Sequence, residues 1–427
     1  MASVQPSFRV LTRFCLTWFT CHWMAATAAP VSIAAAGYPR LIGMAIGEKN
    51  YADHAVQAQL ARMDIVILGF YRGWGGTQSA RPMRAAVQAI KQLHPGVLIG
   101  QYTVLNEAND DRSNTADADK QAVLSARHWW LRDAAGRRQQ WTSAYGAWDI
   151  NLTDSAQPDG EGRRYPQWLA QRDHATYFAP VPEFDIWYFD NVMQRPRIAR
   201  ADWRGEGVDQ DGGSAAIGQA FRQAQVQHWD AAHALAPTVM SMGNPDNDLS
   251  SAEYRGQLQA AFLEEMMGTP TSLHARLGWQ AVMQRYRTVA ANLALPAIVG
   301  FHAAGDPHDL RLLRFSLATC LMGDAYFSFT DIRKGYRDIP WFDEYDALLG
   351  RPLDPPQAAA WRDGVFRRRF SNGMALVNPS DVERRVPIEA GYRHLEGRQT
   401  RQINSGARTN LVVLPPNDGI LLRKTHM

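Results

Sequence analysis

Residues 184–191 read Phe-Asp-Ile-Trp-Tyr-Phe-Asp-Asn, an apolar run with an aspartate near each end. A short run of this kind, rich in aromatic residues, is typical of a buried strand. At about 3.3 Å per residue, Asp185 and Asp190 are separated by roughly 17 Å, so their carboxylates lie at opposite ends of the strand. Asp190, at the carboxyl end, is a candidate for chemistry, whereas Asp185 is a candidate turn or cap residue.

Similar apolar runs lie on both sides of this strand and alternate with helical patterns. Apolar residues recur at helical spacing between them, as in Met83, Val87 and Ile90. This alternation predicts a parallel sheet covered by helices, and eight repeats predict its closure into a barrel. An open, doubly wound sheet is the alternative. The eight predicted strands are Leu41 to Ile46, Ile65 to Phe70, Val97 to Thr103, Ile186 to Phe189, Thr238 to Met242, Ala260 to Leu263, Ala297 to Phe301 and Ala325 to Phe329.

From Trp361 onward the pattern changes to alternating β-type runs separated by turn sequences such as Ser371-Asn372-Gly373. The five runs are Val365 to Phe370, Met374 to Val377, Arg385 to Ile388, Leu411 to Leu414 and Gly419 to Arg423. We therefore predict an α/β protein: a (β/α)8 TIM barrel over residues 37–353, then a small antiparallel, β-sandwich-like domain over 354–427. Long insertions, Leu105 to Ala179 and Met193 to Gly213, follow the third and fourth strands. They lie on the barrel face where loops build active sites.

The N-terminal segment has the pattern of an export signal. Arg9 and Arg13 precede an apolar stretch, Phe14 to Ala29, that is followed by small residues. We predict a signal peptide within residues 1–36, cleaved after Ala29 or Ala36, and a secreted or periplasmic protein. The apolar stretch is short of the ~20 residues that a membrane span needs. No later run is long enough, so we expect no stable span after cleavage.

Charge and motifs exclude several other functions. The formal net charge is +3, and the basic residues are scattered rather than gathered into a stripe, so nucleic acid is not an expected partner. The H-E-x-x-H, C-x-x-C, G-x-S-x-G and G-x-x-x-x-G-K-[ST] motifs are absent from the sequence. We expect neither a metal nor a cofactor. Cys320, the one cysteine after the signal segment, lies in an apolar helical pattern typical of a core residue.

A second acidic site, Glu264-Glu265, ends the sixth predicted strand. Adjacent strand residues point to opposite faces, so at most one of the two projects into the barrel mouth. Glu264 is favoured and Glu265 is the alternative. Together with Asp190 at the end of the fourth strand, this predicts two carboxylates above one cavity, as glycoside hydrolysis requires. The alternative is that these acids only cap loops or pair with arginines.

Other polar and aromatic residues near the predicted strand ends are candidates for substrate binding. Flat aromatic rings pack on the apolar faces of sugars, while polar groups form hydrogen bonds to the hydroxyls. The candidates are Tyr71, Arg72 and Trp74 after the second strand, Tyr102 and Asn106 after the third, Trp148 and Asp149 in the first insertion, Asn191 after the fourth strand, Asn244 after the fifth, His302 after the seventh and Asp331 after the eighth.

Taken together, these segments resemble the hypothetical glycosyl hydrolase family 15, a barrel group distinct from the glucoamylases and distantly similar to polygalactosaminidase-like barrels. The resemblance implies that Asp190 matches the aspartate closing the fourth strand and Glu264 the glutamate closing the sixth. The segments that carry it are Ala61 to Leu68, Leu93 to Tyr102, Trp130 to Gly136, Trp148 to Thr153, Phe184 to Val192, Gly243-Asn244, Phe262 to Glu265, Met374 to Pro379 and Pro415 to Leu421.

Two functions are consistent with the sequence. The first is an exported glycosidase that acts on a polysaccharide or oligosaccharide, with Asp190 and Glu264 as the acid and the nucleophile or base. The second is a non-catalytic glycan-binding barrel that keeps the fold and the aromatic residues without a working acid pair. The separation of the two carboxyl groups discriminates between them, because a catalytic pair lies about 5 to 9.5 Å apart in an open cleft.

Overall fold

The computed structural model describes residues 37–47, 50–69, 80–110 and 117–425. In chain order, the strands are β1 Ile42–Ala45, β2 Ile65–Leu68, β3 Leu98–Val104, β4 Glu107–Asn109, β5 Ala147–Asp149, β6 Ile186–Val192, β7 Arg200–Ala201, β8 Gln210–Asp211, β9 Met240–Pro245, β10 Ala260–Met267, β11 Ile298–Gly305, β12 Tyr326–Asp331, β13 Phe366–Phe370, β14 Gly373–Asn378, β15 Arg384–His394, β16 Arg408–Leu414 and β17 Asp418–Lys424.

The helices lie between the strands, as the predicted alternation requires. They are α1 His54–Leu60, α2 Ala80–Leu93, α3 Ala118–Ala126, α4 Tyr165–Asp173, α5 Ala215–Leu235, α6 Leu273–Asn292 and α7 Leu310–Leu321. A π-helical turn, His174–Phe178, extends α4, and 3-10 turns cover Gly335–Arg337 and Asp343–Asp346. Within the part of the chain that the structure describes, no helix has both the length and the apolar composition for a membrane span.

The eight predicted strands form one parallel sheet in the order β1-β2-β3-β6-β9-β10-β11-β12. The two edge strands meet where Leu41 and Phe327 form a parallel bridge and the Phe327 N–H donates to the Arg40 carbonyl at 2.8 Å. The sheet is therefore closed into a barrel, which confirms the predicted (β/α)8 class over the open-sheet alternative. Asp185 lies at the amino end of β6, away from Asp190 as predicted. It accepts from Lys91 and from the Ile99 N–H of β3, and so binds a neighbouring strand instead of capping a turn or helix.

The five predicted C-terminal strands form a single antiparallel sheet in the order β13-β14-β17-β15-β16. Side chains alternate across it: Ala375 and Val377 join the barrel core, whereas Met374 and Leu376 belong to a second apolar cluster. Pairing of β15 with β16 is interrupted after Pro387. The barrel and this sheet pack into one compact unit. The predicted signal segment lies outside the described residues, and the domain boundaries stay a prediction.

Candidate active site

Strand parity places three polar side chains inside the mouth of the barrel. Tyr102 of β3 and Tyr188 of β6 are directly paired and their rings stack at 5.7 Å, which marks the inward face. Asp190 lies two residues beyond Tyr188 and therefore shares that face. The same two-residue step from Met242, which pairs with Tyr188, leads to Asn244 on β9.

On β10 the inward face leads to Glu264. Ala260 pairs with Met242, and the next inward residue, Phe262, packs edge-to-face on Tyr188 at 6.4 Å. Glu264 is the next residue on that face. Because β6, β9 and β10 are neighbours in the sheet, their carboxyl ends bring the three polar side chains together.

Asn244 joins the two acids. Its Nδ2 donates to Asp190 Oδ1 and to Glu264 Oε2, each at 2.9 Å, so these two oxygens lie no farther apart than twice 2.9 Å. Because the two hydrogens of an amide diverge by about 120°, the oxygens are roughly 5 Å apart. This matches the separation of about 5 to 5.5 Å in glycosidases that retain anomeric configuration and is shorter than the ~6.5 to 9.5 Å of inverting ones.

Two tyrosine hydroxyls complete the hydrogen bonds to the pair. The Tyr102 hydroxyl donates to Asp190 Oδ2, and the Tyr336 hydroxyl donates to Glu264 Oε1. All four carboxyl oxygens therefore have a neutral donor. Neither acid forms an ion pair with an arginine or lysine in the described residues, which contradicts the alternative that these strand-end acids only pair with arginines.

The electrostatics couple the two acids. The pKa of Asp190 is raised, first because the carboxyl is removed from water and second because the Glu264 charge lies close by. The bonds from Tyr102 and Asn244 oppose this shift. The pKa of Tyr336 is also raised, by its burial and by the Glu264 charge, so its hydroxyl stays protonated as a donor.

Both acids are followed by a residue in the left-handed backbone region. Asn191 has φ 57° and Glu265 has φ 50°, and the pairing of both strands is irregular at this point. A non-glycine residue in this region costs on the order of 1 kcal/mol or more, and such strain persists mainly at functional sites. The bulges turn the chain away from the ladder directly after Asp190 and Glu264, at the barrel mouth.

Glu265 and His302 form a separate arrangement behind the pair. The Glu265 N–H donates to His302 Nδ1 at 3.1 Å, and His302 Nε2 contacts Thr330 Oγ1 at 2.9 Å. Burial lowers the pKa of His302 to about 3, so the ring is neutral and can accept this bond. The Glu265 carboxylate accepts from Thr271 instead of Asn244. The structure therefore brings Glu264, rather than Glu265, to Asp190.

The first insertion places a second acidic pair beside the site. Glu107 and Asp149 are directly paired on β4 and β5. The Trp141 indole donates to Glu107 at 2.7 Å, and the Trp141 N–H donates to Asp149 at 3.0 Å. Burial, and then the Glu107 charge, raise the pKa of Asp149 to about 7. Asp149 thus holds the backbone of Trp141 through this bond.

Arg197 connects this cluster to Asn191 of β6, the residue after Asp190. Its guanidinium lies 4.1 Å from the Trp141 ring centre and donates to Asn191 Oδ1 at 2.8 Å. Tyr145 lies next to Trp141, with the ring centres 5.7 Å apart, and both aromatic side chains are exposed. Exposed, positioned aromatic rings of this kind are suited to packing against a sugar ring.

The remaining candidates lie in other environments. Asn106 is buried and contacts Met193. Trp148 is half-buried with the Arg138 guanidinium 5.1 Å from its ring centre. Asp331 is buried and accepts from the Arg333 N–H, the largest contribution to its lowered pKa. Tyr71, Arg72 and Trp74 lie outside the described residues. Substrate contact by the candidate residues stays a prediction.

Sequence reasoning missed Tyr336, Trp141 and Arg197. Tyr336 lies five residues beyond the end of β12 in a 3-10 turn, so a search restricted to strand ends does not reach it. The signal that was available is its position after the eighth strand, on the barrel face that carries the active site.

A closed barrel with two carboxyl groups bridged at its mouth defines the class of the protein: a (β/α)8-barrel glycoside hydrolase. The family comparison agrees, because the model of the hypothetical glycosyl hydrolase family 15 matches residues 97–374. The chain belongs to this family, as the sequence resemblance predicted. A search of curated proteins found no match.

Two α-amylases of known structure share the fold, and a third solved structure is similar at a lower score. An α-amylase from Anoxybacillus has a TM-score of 0.51 at 10% identity, over 91% of this chain and 98% of that one. An α-amylase from Lactobacillus plantarum has a TM-score of 0.51 at 10% identity, over 90% and 99% of the two chains. The glycoside hydrolase domain of PelA from Pseudomonas aeruginosa has a TM-score of 0.43 at 14% identity, over 71% and 97%.

Proposed function

We propose that the protein is an exported glycosidase that cleaves a polysaccharide with retention of configuration, using Asp190 and Glu264. The observation that carries the mechanism is the double hydrogen bond from Asn244, which holds the two carboxyl groups at the separation of a retaining pair. An inverting enzyme needs room for a water molecule between its two carboxyl groups, and a separation of roughly 5 Å leaves no such room. One of the two carboxylates therefore acts as the nucleophile.

We assign Asp190 as the nucleophile. Its two oxygens accept from Tyr102 and Asn244, which fixes the side chain and stabilises its ionised form. Glu264 is the more exposed of the two acids, so it can exchange a proton with water in each cycle. Burial and, second, the Glu264 charge raise the pKa of Asp190, and the hydrogen bonds from Tyr102 and Asn244 oppose this shift and favour the carboxylate.

The reaction follows from these roles. Glu264 donates its proton to the glycosidic oxygen while an Asp190 oxygen bonds to the anomeric carbon, and the bond to the leaving sugar breaks. The Glu264 carboxylate then takes a proton from water, whose oxygen attacks the anomeric carbon and releases Asp190. Exposed Trp141 and Tyr145 supply a surface on which a neighbouring sugar packs.

Trapping of the intermediate tests the mechanism. An aryl glycoside with a good leaving group needs little acid assistance, so Glu264→Ala should accumulate a glycosyl adduct on Asp190 that mass spectrometry of the peptide containing residues 184–191 detects. Added azide should restore turnover and give a glycosyl azide of the substrate's configuration. Asp190→Ala should form no adduct. An adduct on Glu264, or an inverted product from the wild type, would contradict the assignment.

Export is a separate part of the proposal. The basic, apolar and small-residue order of Arg9 to Ala36 supports it. In the native host, N-terminal sequencing of the protein from the periplasm or medium should find a start after Ala29 or Ala36. Intact Met1 on protein confined to the cytoplasm would contradict export and leave the glycosidase mechanism unaffected.

A further inference from the structure

Three arginines stand in one row across the C-terminal sheet. Arg393 of β15 is directly paired with Arg423 of β17 on one side and with Arg408 of β16 on the other. Directly paired residues project to the same face, with strands about 4.8 Å apart. Like charges opposite one another destabilise a sheet. The row therefore has a cost in the free protein that an anionic ligand would remove.

Two of these arginines line a cavity of about 690 Å³. Its other basic lining residues, Arg398 and Arg401, come from the connection between β15 and β16. Opposite them lies Asp343–Asp346, the 3-10 turn that follows the barrel. The cavity thus lies between the barrel's closing segment and the sheet, and its lining residues form no hydrogen bond with Asp190 or Glu264.

The carboxylates of the lining do not neutralise the row. Asp343 accepts from the N–H groups of Arg398 and Gln399, both at 2.7 Å. Asp346 accepts from the Trp341 indole at 2.8 Å and faces Arg62 at 3.7 Å. Glu396, the third acid, is exposed.

The row is also without ion pairs of its own. In the described part of the chain, no carboxylate lies within salt-bridge distance of Arg393, Arg408 or Arg423, whereas Arg367 and Arg385 of the same sheet each pair with a glutamate. Arginine presents several donors in a planar fork that suits carboxylates. A ligand that pairs with one arginine on each of three strands must carry several negative charges along its length.

We propose that this cavity is a second carbohydrate site that binds an acidic polysaccharide through its carboxylate groups. That the occupant is a carbohydrate rests on the proposed glycosidase function, while its charge rests on the arginine row. The site holds a polyanionic chain on the protein, separately from the bond cleavage at the barrel mouth.

Binding is measured without turnover on full-length Asp190→Asn protein by calorimetry. Polygalacturonate carries carboxylates, dextran is neutral, heparin carries sulfates and duplex DNA carries phosphates. At about 150 mM salt, polygalacturonate should bind, dextran should not, and Arg393→Gln/Arg423→Gln should weaken binding about tenfold or more. Arg385→Gln is the matched control, because Arg385 pairs with Glu383 elsewhere in the sheet, and it should bind like the parent.

Thermal stability separates a binding role from a structural one. Removing like charges should leave the melting temperature of the double variant unchanged or raise it, and in the active background turnover of a small aryl glycoside should not change. A lowered melting temperature, no binding of polygalacturonate, equal binding of dextran, or binding of heparin or DNA alone would overturn the proposal. None of these binding measurements uses turnover. A failure to bind polygalacturonate would therefore contradict this site and leave the glycosidase mechanism untouched.

Discussion

At the level of single residues, hydrogen-bond donors hold the two acids in place. Tyr336→Phe removes only the hydroxyl that donates to Glu264. Tyr336 stabilises the Glu264 carboxylate that forms as Glu264 gives up its proton, and a hydrogen bond to a charged group contributes about 1.5 to 3 kcal/mol. We therefore expect kcat to fall roughly 10- to 100-fold with an unchanged circular dichroism spectrum. Tyr392→Phe, in the C-terminal sheet, is the control and should keep wild-type kcat. Equal kcat values for both variants would show that Tyr336 does not act on the pair.

Asp149 gives a prediction on pH. Its folded pKa is about 7, above its ordinary value of 3.8, so the folded state holds the proton more tightly than the unfolded chain. Stability therefore falls as pH rises from about 4 to 7, by on the order of a few kcal/mol. Asp149→Asn cannot ionise and keeps an oxygen for the Trp141 N–H, so it should lose less stability across this window.

Thermal melts at pH 5 and pH 8 measure this difference. The exposed Asp230→Asn on α5 is the matched control and should follow the wild type. If Asp149→Asn also follows the wild type, Asp149 is not the group that titrates in this range.

At the scale of elements, α7 is tied to β17 by a buried ion pair. Arg314 donates to both oxygens of Asp418, at 3.1 and 2.9 Å, and both side chains are almost fully buried. Asp418→Ala leaves the arginine charge unpaired, so urea unfolding should show a loss of about 3 to 5 kcal/mol. Glu383→Ala removes an exposed pair with Arg385 and should cost about 1 kcal/mol or less.

A double variant separates the loss of the ion pair itself from the cost of leaving one buried charge unpaired. Arg314→Met/Asp418→Leu removes both charges and should recover most of the lost stability. If Asp418→Ala costs no more than Glu383→Ala, the pair does not hold the sheet on the barrel.

The strands of the fold could be predicted because each carries its signal locally. Ile65–Leu68 and residues 298–301 are continuous apolar runs, and strand parity limited the second acid to one of Glu264 and Glu265. The insertion was different. The bond from the Trp141 backbone to Asp149 and the position of Asp149 opposite Glu107 depend on the pairing of β4 with β5, which the sequence pattern does not specify.

At the scale of the whole molecule, the site exists only in the closed barrel. Tyr102, Asp190, Asn244, Glu264 and Tyr336 come from β3, β6, β9, β10 and the segment after β12, and no two of them are neighbours in sequence. Strand ends predicted four of these residues. Tyr336 was not predicted because it lies 72 residues from Glu264 in the sequence, and their contact depends on how the last barrel loop folds back.

The proposed activity is the cleavage of a glycosidic bond by Asp190 and Glu264 together. It is tested most directly by the kcat of Asp190→Asn, Glu264→Gln and Glu265→Gln on a polysaccharide that the wild type cleaves, chosen from a panel of bacterial polysaccharides. We predict losses of ~10² to 10⁴ for the first two, with unchanged melting temperatures, and nearly wild-type turnover for Glu265→Gln. Full activity in Asp190→Asn or Glu264→Gln, or loss of activity in Glu265→Gln alone, would contradict the account.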